Sequence, residues 1–179
     1  MFTLNIAPDL QLAIVQPSFA RHYLDIVTAE RAYLSKWLPW VTDANSEAFF
    51  LEFIRKSLQG YAEGKSMTCA LVYQHTVVGN VSFNSIDQEL KKVVVGYWLS
   101  EKYQGLGIMT KAVSFLIEYA FSELSMDKVE ICVAADNGPS RRLCERLNMT
   151  LEGIISNYEN LNSDIIGHAI YGLHCTDLR

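Results

Sequence analysis

The sequence has little that could staple, ligate or anchor it. Its four cysteines, Cys69, Cys132, Cys144 and Cys175, are widely spaced with no CxxC pair. Neither a zinc site nor a disulfide framework is suggested, and buried or incidental thiols are the plain reading. Positive charge is also scarce. Fifteen Lys and Arg against 20 Asp and Glu give a net charge of -5 and a pI near 5.3, which argues against nucleic-acid binding through a broad basic surface. A charged partner would be cationic. The longest uncharged stretch, between Lys65 and Asp87, is interrupted by Gln74, His75, Asn80, Ser82 and Asn84, so it cannot cross a membrane as an apolar helix. Asp9 precedes the first basic residue, Arg21, unlike a secretory signal, and a cytoplasmic setting is expected. The four prolines are scattered at Pro8, Pro17, Pro39 and Pro139, and no linker or repeat divides the chain. With 179 residues, half of them hydrophobic, residues 1–179 read as one domain able to build a core.

Periodicity supplies the elements. Leu10, Leu12 and Ile14 alternate as a first strand, and Pro17-Ser18 opens a helix to about Leu34 with Phe19, Tyr23, Ile26 and Val27 on one face. Trp37-Leu38-Pro39-Trp40 forms an aromatic corner. Asn45-Ser46-Glu47 caps a second helix carrying Phe49, Phe50, Phe53, Ile54 and Leu58, which Gly60 and Gly64 end. Strand-like runs at 68–73, 77–84 and 93–99, joined by the short turns Gln74-His75 and Asp87-Gln88-Glu89, predict an antiparallel meander. The period then switches: Ile108, Ala112, Phe115, Leu116 and Tyr119 predict a helix to about Glu123. A strand with Val129, Ile131 and Val133 follows, then a short helix from Asn137-Gly138-Pro139 and a hairpin near 150–158 and 165–174. This order predicts an α+β fold, a mixed sheet that is antiparallel except for one local parallel crossover.

The informative segment runs from Gly96-Tyr97-Trp98-Leu99 to Gln104-Gly105-Leu106-Gly107-Ile108-Met109-Thr110. A strand feeds a two-glycine loop that enters a helix directly, and the first N–H groups of a helix lack intrahelical partners. Those donors and the positive dipole end make an anion site, to which Thr110 can add a hydroxyl; a pyrophosphate fits. Gly105-x-Gly107 alone is weak. A dinucleotide fingerprint would need a third glycine, where Thr110 stands, and an early parallel strand. The P-loop pattern is absent.

With this context the sequence resembles the GNAT superfamily of acetyl-CoA-dependent N-acetyltransferases, whose pyrophosphate loop reads [QR]xxGx[GA]. Gln104, Gly107 and Met109 occupy its positions, Met109 departing from the small final residue. The glycine loop with Gly96-Tyr97-Trp98-Leu99 upstream resembles the branch that acetylates the N-termini of ribosomal proteins. The likeness extends to Leu34-Ser-Lys-Trp37-Leu-Pro39-Trp40, to Asn137-Gly-Pro-Ser140-Arg141-Arg142, and to Glu159 and His168. It implies a predominantly antiparallel seven-stranded sheet with a central parallel, splayed strand pair and helices on both faces. It also implies acetyl-CoA as the donor, without metal, and a primary amine, a protein N-terminus, as the acceptor.

The resemblance places cofactor binding on the backbone of Tyr97, Trp98 and Leu99, on the loop Gln104, Gly105, Leu106, Gly107, Ile108, Met109 and Thr110, and on Asn137, Arg141 and Arg142. Asn137 reads equally as a helix cap, and either arginine as a solvated charge. Many relatives carry a proton-donating tyrosine on the last helix; the matching residue is Cys144. Ser140, one turn earlier, is the candidate acid, or simply a helix-start serine. A strand glutamate used as base in this branch is here Val94. Glu159 is the candidate base, with a solvated turn carboxylate as its alternative, and His168 reads first as a packed strand residue. Trp37 and Trp40 either pack a corner or wall the acceptor pocket. The competing functions are a small-molecule amine acetyltransferase, for polyamines, aminosugars or antibiotics, and a CoA-binding module without turnover. A homodimer is common in the branch.

Overall fold

A computed structural model describes residues 3–178. Eight strands are formed: β1 (Thr3–Ala7), β2 (Leu10–Ile14), β3 (Met67–Tyr73), β4 (Thr76–Asp87), β5 (Lys92–Leu99), β6 (Lys128–Ala134), β7 (Thr150–Leu161) and β8 (Asp164–His174). They make one sheet in the order β1-β2-β3-β4-β5-β6-β8-β7. Every neighbouring pair is antiparallel except β5 and β6. The mixed sheet is as expected, but its strand count is eight rather than seven. The extra strand is β1, an edge strand in which no residue is fully buried, so no inward alternation marks it in the sequence.

The helices are α1 (Ala20–Ala29), α2 (Arg31–Leu34), α3 (Glu47–Ala62), α4 (Ile108–Ser122) and α5 (Gly138–Arg146). The single helix expected up to Leu34 is broken at Glu30, whose backbone leaves the helical region at φ -120° and ψ 23°. Its buried carboxylate instead accepts hydrogen bonds from Ser100 Oγ and the Glu101 N–H, both at 2.8 Å. Ser46 caps α3 by accepting from the Phe49 N–H. Gly60 lies inside α3 rather than ending it, and Gly64, at φ +69°, turns the chain beyond it. Gln74 and His75 both have positive φ, the requirement of a tight two-residue hairpin.

Helices cover both faces. Phe19, Tyr23, Val27, Phe50 and Ile54 pack from the α1–α3 side against Ala13, Ala70 and Val72. On the other side α4 and α5 bring Ile108, Ala112, Leu116 and Leu143 against Leu71, Val81, Val93 and Ile131.

The feature that matters for function is where pairing stops. The parallel β5–β6 ladder runs only from Lys92–Lys128 to Val95–Ile131. Beyond it, Gly96–Leu99 pair with β4 alone and Cys132–Ala134 with β8 alone, so two strands diverge with unpaired backbone facing the gap. A bulge in β4 at Asn84 lies opposite this point, and bulges add local twist. Gly96 makes room for it: a Cβ there would meet the Asn84 amide nitrogen at 2.3 Å.

Gly79 holds β4 against the diverging end of β5. A Cβ at Gly79 would stand 2.3 Å from the Trp98 carbonyl oxygen and 3.0 Å from Leu99 Cα, backbone that cannot swing aside. Gly79→Ala is therefore expected to destabilise the protein by about 1–3 kcal/mol, the cost of overpacking. Urea unfolding should show the lower midpoint, and an unchanged midpoint would mean that the two strands do not approach so closely.

Candidate functional site

Where β5 and β6 part, a cleft of about 1170 Å³ opens. One half is bounded by Gln104, Gly105, Gly107, Thr110, Asn137 and Arg142, the other by Trp37, Trp40, Asn80, Trp98, Glu159 and His168.

The first half is built from backbone. Gly105 and Gly107 hold φ of +74° and +72°, conformations that L side chains resist. Gly107 is the N-cap of α4 and supplies no side-chain acceptor. The first N–H to bond back into the helix is that of Lys111, to the Gly107 carbonyl at 3.0 Å, so those of Ile108, Met109 and Thr110 have no intrahelical acceptor. The side chains of Ile108 and Met109 are buried in the core beneath. That burial accounts for the tolerated Met109, since its bulk points away from the loop surface. Glu30 fixes the start of the loop, and Gln104 Nε2 donates to the Tyr33 hydroxyl on α2. Arg142 and Arg146 both line this half, and Arg146 reaches Thr110 Oγ1 at 3.4 Å. Free N–H groups, two open glycines and two guanidinium groups fit a diphosphate.

Two residues expected at the cofactor are not among those lining the cleft. Leu106 is an exposed side chain outside the cleft lining. Arg141 donates to the Tyr171 hydroxyl and the Ala135 carbonyl, each at 3.1 Å, which turns it towards β8 and away from the cleft. Arg146, absent from the sequence expectations, lines the cleft beside Arg142. The signal was available, because Arg146 is four residues after Arg142 and so on the same helix face. Asn137 does cap α5, its Oδ1 accepting from the Ser140 N–H at 3.2 Å. Its amide nitrogen remains for a ligand.

At the waist of the cleft the Tyr97 hydroxyl lies 2.6 Å from Ser140 Oγ. Tyr97, Trp98 and Leu99 all line the gap. Cys144, one turn after Ser140, is fully buried beside Tyr97 and its thiol is pushed up to about 12 by desolvation. It is held as a neutral thiol. The sequence reading used only the backbone of Tyr97, because strand alternation does not tell which side chain meets a helix from another part of the chain.

The second half combines aromatic walls with a polar floor. Trp40 packs 6.0 Å from Trp98, which packs 5.5 Å from Tyr23. The Tyr23 hydroxyl accepts from buried Asn80 at 3.1 Å. Trp40 both packs and lines the cleft, and Trp37 lines it. Glu159 is the one carboxylate among the described residues lining the cleft. His168 Nε2 stands 3.2 Å from its Oε2, and the imidazole stacks on Tyr158 at 4.3 Å. His168 Nδ1 is buried without a partner, so Nε2 is the ring nitrogen that meets Glu159. Val94 also lines this half. Its ladder partner Glu130 carries a carboxylate, but Lys92 and Lys128 pair with it at 3.2 and 3.4 Å.

Among the described residues no group of three or more His, Cys, Asp or Glu is placed to hold a metal. No helix among them is long and apolar enough to cross a membrane.

Known proteins share this arrangement. A Bacillus subtilis (strain 168) protein, provisionally named a ribosomal N-acetyltransferase, is 30% identical over 154 residues, 86% of this chain and 84% of that one. The Escherichia coli (strain K12) ribosomal-protein-serine acetyltransferase is 27% identical over 164 residues, 89% of each chain. The crystal structure of the microcin C7 self-immunity acetyltransferase MccE in complex with acetyl-CoA and AMP superposes with a TM-score of 0.90 at 28% identity, over 94% of both chains. Residues 11–150 match the family described as Acetyltransferase (GNAT) domain. The diverging strands, the glycine loop at the start of α4 and this match agree: the chain belongs to the GNAT family of N-acetyltransferases, whose acetyl donor is acetyl-CoA.

Proposed function

We propose that this enzyme acetylates the α-amine of a protein N-terminus, such as that of a ribosomal protein, in the cytoplasm. The observation that carries the reading is the single carboxylate, Glu159, facing an otherwise uncharged aromatic acceptor half. An α-amine titrates near 7.7–8.0 and a lysine near 10.4, so deprotonation at neutral pH costs about 1 kcal/mol for the first and about 4.6 for the second. One moderately placed base suits the first. The names of the B. subtilis and E. coli relatives support the same acceptor class.

Acetyl-CoA supplies a thioester whose acetyl group passes to the amine while the electron pair of the broken C–S bond stays on sulfur. The chain's residues do the rest. The free N–H groups of Ile108, Met109 and Thr110, with Arg142 and Arg146, hold the diphosphate. The unpaired backbone of Tyr97–Leu99 offers strand-like hydrogen bonds to the pantetheine arm, and Asn137 Nδ2 adds one more. Glu159, oriented by His168, takes a proton from the amine, directly or through water. Ser140 offers its hydroxyl to the departing sulfur.

A second reading, an amine on a small molecule bearing a flat ring, is favoured by the aromatic walls of the acceptor half and by the AMP bound to MccE. A homodimer also belongs to the proposal. The edge strand β7 exposes Leu151, Ile154, Ile155 and Tyr158, an apolar strip that a second copy would cover; sedimentation should give twice the chain mass, and a monomer at micromolar concentration would remove the dimer.

Two experiments test the function. Gly107→Glu places a negative side chain at the α4 N-terminus in a left-handed backbone and should weaken CoA binding strongly in calorimetry; wild-type affinity in the folded variant would exclude the loop. Peptides containing lysine, with free or blocked N-termini, test the acceptor: only the free peptide should be acetylated, at its α-amine. Glu159→Gln should lower that turnover roughly 10²-fold, the scale of acid–base assistance. Acetylation confined to lysine in both peptides would reject the α-amine reading, and transfer only to small ring-bearing amines would favour the second.

A further inference from the structure

Tyr97 is the one strand residue whose polar tip meets the α5 serine. Its hydroxyl and Ser140 Oγ are 2.6 Å apart, one short hydrogen bond with two possible directions. The direction decides what Ser140 can do. A hydroxyl has a single hydrogen. If Ser140 donates to Tyr97, it has none left for a ligand. If Tyr97 donates, the serine proton is released to point into the cleft that Ser140 lines.

Two features favour donation by Tyr97. A phenol is a stronger acid than an alkyl alcohol and so the better donor of the two. Burial raises the Tyr97 pKa, which keeps the phenol protonated. The serine itself is held from behind, since its N–H bonds Asn137 Oδ1. Only its hydroxyl rotor is free, and Tyr97 fixes it.

We propose that Tyr97 is a positioning residue: its phenol O–H donates to Ser140 Oγ and thereby aims the serine proton at the sulfur that leaves during acetyl transfer. The inference rests on the reading of Ser140 given above. In the balanced step the N–C bond forms as the C–S bond breaks. Glu159 takes one proton from the amine nitrogen, Ser140 gives its hydroxyl proton to sulfur, and the proton on Glu159 returns to the serine oxygen through water in the open cleft. Tyr97 keeps its proton throughout. Position 144, where related sequences place a tyrosine on the helix, is here a thiol, and the phenol reaches the same place from β5.

The test uses Tyr97→Phe, Ser140→Ala and the double variant, with two readouts. The first needs no turnover: the thiol pKa of bound CoA, followed by thiolate ultraviolet absorbance. A donor aimed at sulfur lowers that pKa, so each single variant should raise it by about one unit, the equivalent of one hydrogen bond. The double variant should raise it no further than Ser140→Ala does. The second readout is kcat against KM. Tyr97→Phe should lower kcat roughly tenfold with the KM for acetyl-CoA within about twofold of wild type, and again without adding to Ser140→Ala. Additive losses, or a wild-type thiol pKa and kcat in Tyr97→Phe beside a shifted Ser140→Ala, would overturn the role of Tyr97 while sparing that of Ser140. No change in Ser140→Ala would overturn both. Should Tyr97→Phe fail to fold, 3-fluorotyrosine at position 97 keeps the shape and makes a stronger donor. The bound thiol pKa should then fall, and an unchanged value would overturn the proposal.

Discussion

The structure depends on a ladder that ends early. The β5 and β6 strands pair over four residues each and then part, and everything with chemical potential gathers in the gap. Unpaired backbone in a sheet interior is costly unless something satisfies it, so the gap reads as a place reserved for a ligand that can hydrogen-bond like a strand. Its shape comes from neighbours rather than from the gap itself. The Asn84 bulge, the absence of a Cβ at Gly96, and the close approach of Gly79 to Trp98 together set the angle of the outer half of β5.

The parting strands also join two chemically different faces. Side chains alternate along β5, so Tyr97 points to the α4–α5 side while Trp98 joins the aromatic cluster under α1 and α3. The Tyr97–Ser140 contact and the aromatic wall are therefore built on adjacent residues on opposite faces of one strand. A second link ties the faces together outside the sheet. Glu30, at the break between α1 and α2, holds Ser100 and Glu101, and Tyr33 of α2 meets Gln104. The helices that wall the acceptor half thus also anchor the start of the glycine loop.

Much of this was legible in the sequence, and the failures have identifiable causes. Elements with one buried face were visible, since periodicity reports burial: α4 and the inward residues of β6 lie where their spacing put them. β1 was not, because an edge strand with no fully buried residue carries no such signal. The break at Glu30 was hidden for a different reason, as its partners lie about seventy residues away. In the site, the glycine loop was readable because left-handed backbone leaves a residue-type signature. Arg141 and Arg142 look alike in sequence, and only the helix phase and the partners Tyr171 and Ala135 separate them.

The missing glutamate at Val94 and the missing tyrosine at Cys144 point the same way once side chains are located. Near each position that departs from the family pattern, a residue from another element reaches the same cleft. A carboxylate beside Val94 exists on Glu130, but two lysines neutralise it, whereas Glu159 enters from the β7–β8 hairpin with His168 as its partner. A phenol beside Cys144 exists on Tyr97. The reaction constrains where a proton acceptor and a hydroxyl must stand, not which strand or helix carries them. A cleft lined by residues of six strands and five helices offers several routes to each position, and for that reason two departures from the family pattern do not amount to a lost activity.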